Sequence, residues 1–458
     1  MMATTPLPTI PIDGDIPFDE GASHHGIASS HRRLKVLVCA YACSPAQGSE
    51  EGVGWGWVEA MSKLHNLWVL VGDQCQCEIE MELKRRPELR SRVRFYYIHR
   101  SRNFAAERIW PPSHFRTYRR WQEKAYVLAQ ELHSQVRFDI AHQLTYVGFR
   151  APGSLWKLDI PFVWGPIGGL EQTRWALLPS LGIRGCVHFA ARNLLNDWDR
   201  RFSPLPKRAF RAAEGAIIAA TTGVQQQIRR FYGRESTVIS EIGLLPSECS
   251  APVRRMTHEP LRLLWSGLHI PRKALPFLLE ALQKLPSSLH WSLTILGDGP
   301  CRANWEKIAQ QKGLSERCEW LGQMPRSIAL KTMQSAHALV VTSVYDLTSS
   351  VVIEALAHSL PVISPDHCGF IDAVTARCGT RVKASSRHDL VSGIRDAIVT
   401  LSNEDIRFRL AQGAFDRSKA YLWESKAVQL DCIYREKCRP PIDQIGDIQS
   451  IRRKGRNK

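Results

Sequence analysis

Ser343–Ala357 reads SVYDLTSSVVIEALA. The run before it, LVVT at Leu339 to Thr342, has the character of a strand buried on both faces. Thr348, Ser349 and Ser350 are good N-cap residues, so a helix is expected to run on through VVIEALA. The first backbone N–H groups of such a helix carry partial positive charge. With hydroxyls beside them they form a ready phosphate site. Glu354 is the odd member, a full charge in an apolar helix. A capping box would need Ser or Thr three residues earlier, and Val351 stands there. Glu354 therefore lies either on a solvated helix face or toward a cleft. A cleft carboxylate can accept hydrogen bonds from two adjacent sugar hydroxyls, at roughly 1.5–3 kcal/mol each.

The strand–loop–helix unit recurs on both sides. From Leu261, LRLLWSG, SLTILG, CEWLG, HALVVTS and PVIS read as strands. ALPFLLEALQKL, NWEKIAQQKG, SIALKTMQSA and VVIEALAHS read as helices between them. The first half has the same rhythm. LKVLVCAY is followed by a glycine-rich loop, a helix from Gly54 to about His65, and LWVLV; RVRFYYI, FDIAHQ and PFVWG come later. Alternation of this kind gives α/β architecture, here two Rossmann-like doubly wound domains facing a central cleft. Expected boundaries are a flexible leader at 1–33, an N-terminal domain at 34–245 and a C-terminal domain at 246–420. A C-terminal helix at 421–438, able to pack back on the N-terminal domain, and a basic tail at 439–458 complete the chain. The loop argues against a dinucleotide fingerprint, because ACSPAQGSEEGVGWG is long and acidic and contains no G-x-G-x-x-G.

Composition narrows the partners. The 458 residues carry a formal net charge of +17, which favours an anionic partner: nucleic acid, an anionic membrane surface or a phosphorylated substrate. No nucleic-acid motif accompanies the charge, so nucleic acid is set aside. The 12 cysteines form no doubled C-x2-C zinc pattern and read as free thiols of a cytoplasmic protein. No run of ~18 apolar residues suggests a membrane span. Two basic stretches contain aromatics. One holds Arg116, Arg119, Arg120 and Lys124 among Phe115, Tyr118 and Trp121. The other holds Arg192, Arg200, Arg201, Lys207, Arg208 and Arg211 near Trp198 and Phe202. Each is either a surface for anionic membrane or a lipid-linked diphosphate, or a solvated basic face over core aromatics.

SGLHIPRKAL, LTILGDGP, CEWLGQMP and DLTSSVVIEALAHSLPVI followed by DHCGF, in that order, resemble the retaining glycosyltransferases of family 4, or group 1, which have the GT-B fold. YACSPAQGSEEGVGWGWV and VWGPIGG look like a bacterial polysaccharide-type branch. The resemblance covers about Leu34 to Cys438. It implies transfer of a sugar from a nucleoside-diphosphate sugar to an acceptor hydroxyl, glycan or lipid-linked, with no cofactor or metal required. It assigns Glu354 to the donor ribose and Asp346, where the family has glutamate, to the transferred sugar. Lys273, with Arg272, falls at the phosphates beside Gly267, and Leu268 replaces a common arginine. Thr348, Ser349 and Ser350 form the phosphate loop, and Gln323 and Met324 lie by the base. Gly48, Ser49, Gly52 and Gly54 form the glycine loop facing donor and acceptor. His142 either lines the site or is a core histidine. Ser359, at a common glycine position, is expected to be tolerated. Asp346 and Leu268 leave open a binding module that kept the fold and lost catalysis.

Overall fold

The computed structural model describes residues 32–100, 112–254 and 259–439. The expected leader, apart from Arg32 and Arg33, and the expected tail, apart from Arg439, lie outside the described residues.

Two parallel sheets form the frame. The first is built from β1 (Lys35–Ala40), β2 (Asn66–Gly72), β3 (Val93–Ile98), β4 (Ile140–Thr145), β5 (Phe162–Ile167), β6 (Ile217–Ala219) and β7 (Thr237–Val238). The second contains β8 (Leu261–Ser266), β9 (Trp291–Leu296), β10 (Cys318–Gly322), β11 (Ala338–Val340), β12 (Val362–Pro365) and β13 (Gly379–Val382). Their orders are β3-β2-β1-β4-β5-β6-β7 and β10-β9-β8-β11-β12-β13. Each order reverses where the sheet's first strand meets a later one, at β1/β4 and at β8/β11. The crevice beyond the strand ends at such a reversal is where doubly wound sheets bind ligands. Gly267 follows β8, and the Ser343–Ser350 loop lies beyond β11, so both reach that crevice.

Seven helices matter for the site: α1 (Ser49–Ser62), α2 (Gly182–Phe202), α3 (Pro204–Ala212), α4 (Thr222–Tyr232), α5 (Arg326–Ser335), α6 (Ser350–Ala357) and α7 (Trp423–Lys437). The sequence places the start of α1 at Gly54, but it begins at Ser49. Glu50 and Glu51 fall in its first turn, where carboxylates complement the positive helix end. Gly52 and Gly54 are thus helical, and only Gly48 remains outside, in an extended conformation at φ −86°. A Cβ on Gly54 would lie 2.1 Å from the Ala42 carbonyl oxygen, so this glycine permits α1 to cross the end of β1.

Packing does not follow the chain's midpoint. In α7, Ala427, Leu430, Ile433 and Tyr434 join Val36, Val38 and Trp57 in a core of the first sheet. Conversely, Leu177, Leu178, Leu181 and Phe189 join the core of Leu263, Trp265 and Leu278 in the second half. The halves also touch directly. Arg174 pairs with Asp366 at 3.0 Å, and the Thr222 N–H at the start of α4 donates to Asp372 at 2.8 Å. Ser359, expected to be neutral, sits at φ +55°, a left-handed conformation that glycine adopts more easily. Its hydroxyl donates to the Ser250 carbonyl.

Candidate active site

Asp346 is the meeting point of two cations. Lys273 Nζ donates to its Oδ2 at 2.5 Å, and Arg272 Nη1 donates to its Oδ1 at 3.2 Å. Arg272 also donates to the Tyr345 carbonyl at 3.0 Å. The Asp346 and Lys273 side chains are only 14% and 13% exposed, so this pair is screened far less than a surface ion pair. The Lys273 stem passes over Gly267, where a Cβ would lie 3.6 Å from the Lys273 Cδ. Leu268 is exposed beside them.

Four residues after Asp346, α6 begins. Thr348, Ser350 and Glu354 line a cleft of about 740 Å³, and Gly48, Glu50 and Gly52 of the first half line it too. Glu354 lies one turn beyond Ser350, on the same helix face. It accepts from Arg326 Nε at 2.9 Å, and Arg326 Nη2 donates to Glu248 at 2.8 Å. Burial pushes the Glu354 carboxyl above its ordinary range, while Arg326 opposes the shift. Thr348 donates its hydroxyl to Glu241 at 2.9 Å. Glu241 is buried, as is Lys426, whose ammonium lies 5.5 to 5.8 Å from the ring centres of Tyr421, Trp57 and Trp423. Burial pushes Glu241 up and Lys426 down, and their opposite charges resist both shifts.

Leu347 lines a second space. A Cβ on Gly168 would lie 2.3 Å from Leu347 Cδ2, and the Gly369 N–H donates to the Leu347 carbonyl at 2.9 Å. The second space, about 630 Å³, is lined by Arg184, His188 and Arg192 of α2 facing Arg272, Tyr345 and Asp346. Arg192 lies 3.9 Å from the Tyr345 ring centre. Asp346 and Glu354 thus border two adjoining spaces rather than one. The larger space has carboxylates on both walls; the smaller is rich in cations.

His142 lines neither space. It is buried, with Nδ1 2.6 Å from the Tyr434 hydroxyl and Nε2 2.7 Å from the Gly165 carbonyl, so both ring nitrogens are engaged in the core. Desolvation lowers its pKa to about 4, which keeps it neutral. Gln323 is exposed and Met324 half-buried, in the turn after β10 that leads to Arg326. Ser349 is buried at the start of α6, and its side chain makes no capping bond. Ser49 begins α1, and its side chain lies outside the described residues. Sequence reasoning missed Arg326, Glu248, Glu241 and Lys426, and it singled out Arg192 only as part of a basic stretch. A signal existed for Arg326 alone, since it follows the quoted QMP.

Glu50 gives the cleft a pH signature. It accepts from the Val147 N–H at 3.2 Å, and burial raises its pKa from 4.5 to about 7. A raised carboxyl pKa stabilises the fold fully below pH ~4.5, and this contribution disappears as pH rises through ~7. Glu50→Gln should remove that slope. Between pH 5 and pH 8, wild type should lose on the order of 2–3 kcal/mol more stability than the variant in denaturant titrations.

Residues 255–414 match the family model described as glycosyl transferases group 1. The lipopolysaccharide core biosynthesis glycosyltransferase LpsE of Rhizobium meliloti is 27% identical over 152 residues, covering 32% of this chain and 43% of LpsE. The matched segments span 29% to 47% of the lengths of four curated relatives. Among solved structures, sucrose-phosphate synthase from Thermosynechococcus elongatus aligns with TM-score 0.60 and 16% identity, over 88% of this chain and 99% of that one. Anabaena Alr3699/HepE, solved in complex with UDP-glucose, aligns with TM-score 0.53 and 14% identity, over 87% and 98%. The two facing sheets therefore have the GT-B architecture. Within it, the segment bearing Arg272, Lys273, Asp346 and Glu354 is the one that matches the group 1 model. Among the described residues, no helix is long and apolar enough to cross a membrane, and no cluster of three His, Cys, Asp or Glu is placed to hold a metal ion.

Proposed function

We propose that the chain transfers a sugar from a nucleoside-diphosphate sugar to an acceptor hydroxyl of a glycan or lipid-linked glycan, with retention at the anomeric carbon. The reading rests on one observation: Lys273 and Arg272 converge on Asp346 directly before the hydroxyl-bearing start of α6, whose Glu354 faces the opposite domain. Glu354 takes the ribose hydroxyls, with Arg326 holding its carboxylate in place. The N–H groups and hydroxyls at Thr348 to Ser350 take the diphosphate. Lys273 and Arg272 stabilise the charge that grows on the departing diphosphate, and Asp346 faces the transferred sugar. No protein-bound cofactor or metal enters this scheme.

The cations are already engaged by Asp346, so an arriving diphosphate shares them with that carboxylate. Glu354 is likewise shared with Arg326, which leaves it lone pairs for hydroxyls. Glu354→Ala should weaken donor binding by roughly 30-fold or more, the loss of two charge-assisted bonds less what water recovers. UDP-glucose is the first donor to try, and calorimetric titration gives the number. Unchanged donor affinity in this variant would remove Glu354 from the site. Donor binding by wild type with no nucleotide released under any acceptor would instead indicate a binding module.

A further inference from the structure

Helix α2 is turned inside out for a water-facing helix. The face it buries includes Asn193, Asn196 and Arg200, while Ile183, Val187, Leu194, Leu195, Trp198 and Phe202 are exposed by 86%, 64%, 62%, 49%, 64% and 58%. The buried polar groups serve the loop after β5. Asn193 bonds the Thr173 N–H and carbonyl at 3.0 and 2.8 Å, Asn196 donates to the Gly169 carbonyl at 3.0 Å, and Arg200 donates to the Leu170 carbonyl at 2.9 Å. At 100° per residue, the six exposed apolar side chains fall within an arc of about 120°, turned away from the buried face. Trp198 and Phe202 lie with ring centres 4.6 Å apart. A contiguous apolar surface of this kind marks a site of interaction.

The surrounding charge selects the partner. Arg184 and Arg201 are exposed on α2, and Lys207, Arg208 and Arg211 are exposed on α3 just beyond it. The nearby acids are already engaged, Asp197 with Arg200 and Arg201, and Asp199 with Arg150. We propose that the outer face of α2, with α3, docks on an anionic lipid bilayer, the apolar side chains entering the acyl boundary and the cations meeting the headgroups. A second copy of the chain is a poorer occupant, because a symmetric contact would bring like-charged rims together. The basic stretch at Arg116 to Lys124 differs. Its cations are exposed, but Tyr118 and Trp121 are core residues.

Docking this way sets the cation-rich space between α2 and Asp346 close to the membrane surface, which suits an acceptor carried on lipid. That consequence rests on the proposed transfer reaction; the docking itself does not.

The test is flotation of the full chain with phosphatidylglycerol–phosphatidylcholine vesicles, without donor or acceptor. Wild type should bind at low salt and release as salt rises. Trp198→Ser with Phe202→Ser should lower partitioning by roughly tenfold or more, and Arg208→Glu with Arg211→Glu should abolish the preference for anionic lipid. All four positions are exposed, and circular dichroism checks that the fold is kept. Brominated lipid should quench wild-type fluorescence more than that of Trp198→Phe. Failure of wild type to bind, or equal binding by the Trp198→Ser, Phe202→Ser variant, overturns the proposal. So does a vesicle-free wild-type dimer that those substitutions dissociate, which would assign the face to a second copy.

Discussion

Lys273→Ala should lower kcat/KM for sugar transfer at least about a hundredfold while the protein stays folded. Loss of one fixed group that stabilises developing negative charge typically costs about 10²–10³ in rate, because the group is held in place before reaction and water replaces it poorly. In the proposed reaction Lys273 is such a group. Its side chain is mostly buried, and Asp346 fixes its head at 2.5 Å. The fold should tolerate the loss, because Arg272 remains 3.2 Å from Asp346 and leaves that carboxylate a partner. Steady-state kinetics with a thermal melt separates the two effects. A variant that melts like wild type but turns over a hundredfold more slowly places Lys273 in the chemistry. If activity falls only in proportion to the folded fraction, its role is structural.

Gly54→Ala should destabilise the fold strongly, and Gly48→Ala almost not at all. A Cβ at Gly54 would overlap the Ala42 backbone at 2.1 Å, and neither α1 nor β1 can yield without disturbing the core around Trp57. A loss of roughly 3 kcal/mol or more, or failure to yield soluble protein, is expected from such overpacking. Gly48 has open space within 4 Å and an extended backbone that alanine can adopt. It should change stability by no more than about 0.5 kcal/mol. Denaturant titration of the two variants shows whether the second half of the glycine stretch holds α1 against β1, as its geometry indicates, or is merely a loop.

Much of the architecture was legible because both faces of each sheet are buried. Apolar runs such as LKVLVCA and LRLLWSG have few other readings, and the helices between them keep a regular spacing. The short strands Ile217–Ala219, Thr237–Val238 and Gly379–Val382 were not singled out, since two to four residues carry too little pattern. At the site, residues near one another in the chain were readable: Arg272 beside Lys273, and Asp346 eight positions before Glu354. Partners brought together only by folding were not. Arg326 reaches Glu354 from another helix, and Lys426 approaches Glu241 from beyond the second domain. His142 shows the reverse failure. A histidine on a strand near the cleft looked as available for chemistry as for packing, and only Tyr434 on the returning α7 shows that its ring is engaged in the core. Helix α2 was singled out for its basic residues near Trp198 and Phe202, but the outward turn of its apolar face was not legible, for a related reason. Its apolar residues would normally face inward, but the loop after β5 presents backbone groups that need Asn and Arg, so the helix lies the other way round.

The direct test of the central claim is release of nucleoside diphosphate from a panel of nucleotide sugars, measured for wild type, Lys273→Ala and Glu354→Ala with glycan and lipid-linked acceptors. Wild type should release nucleotide from at least one donor, with both variants strongly impaired on that same donor. Failure of every donor both to bind wild type and to be cleaved by it, or equal turnover by all three proteins, would contradict the assignment.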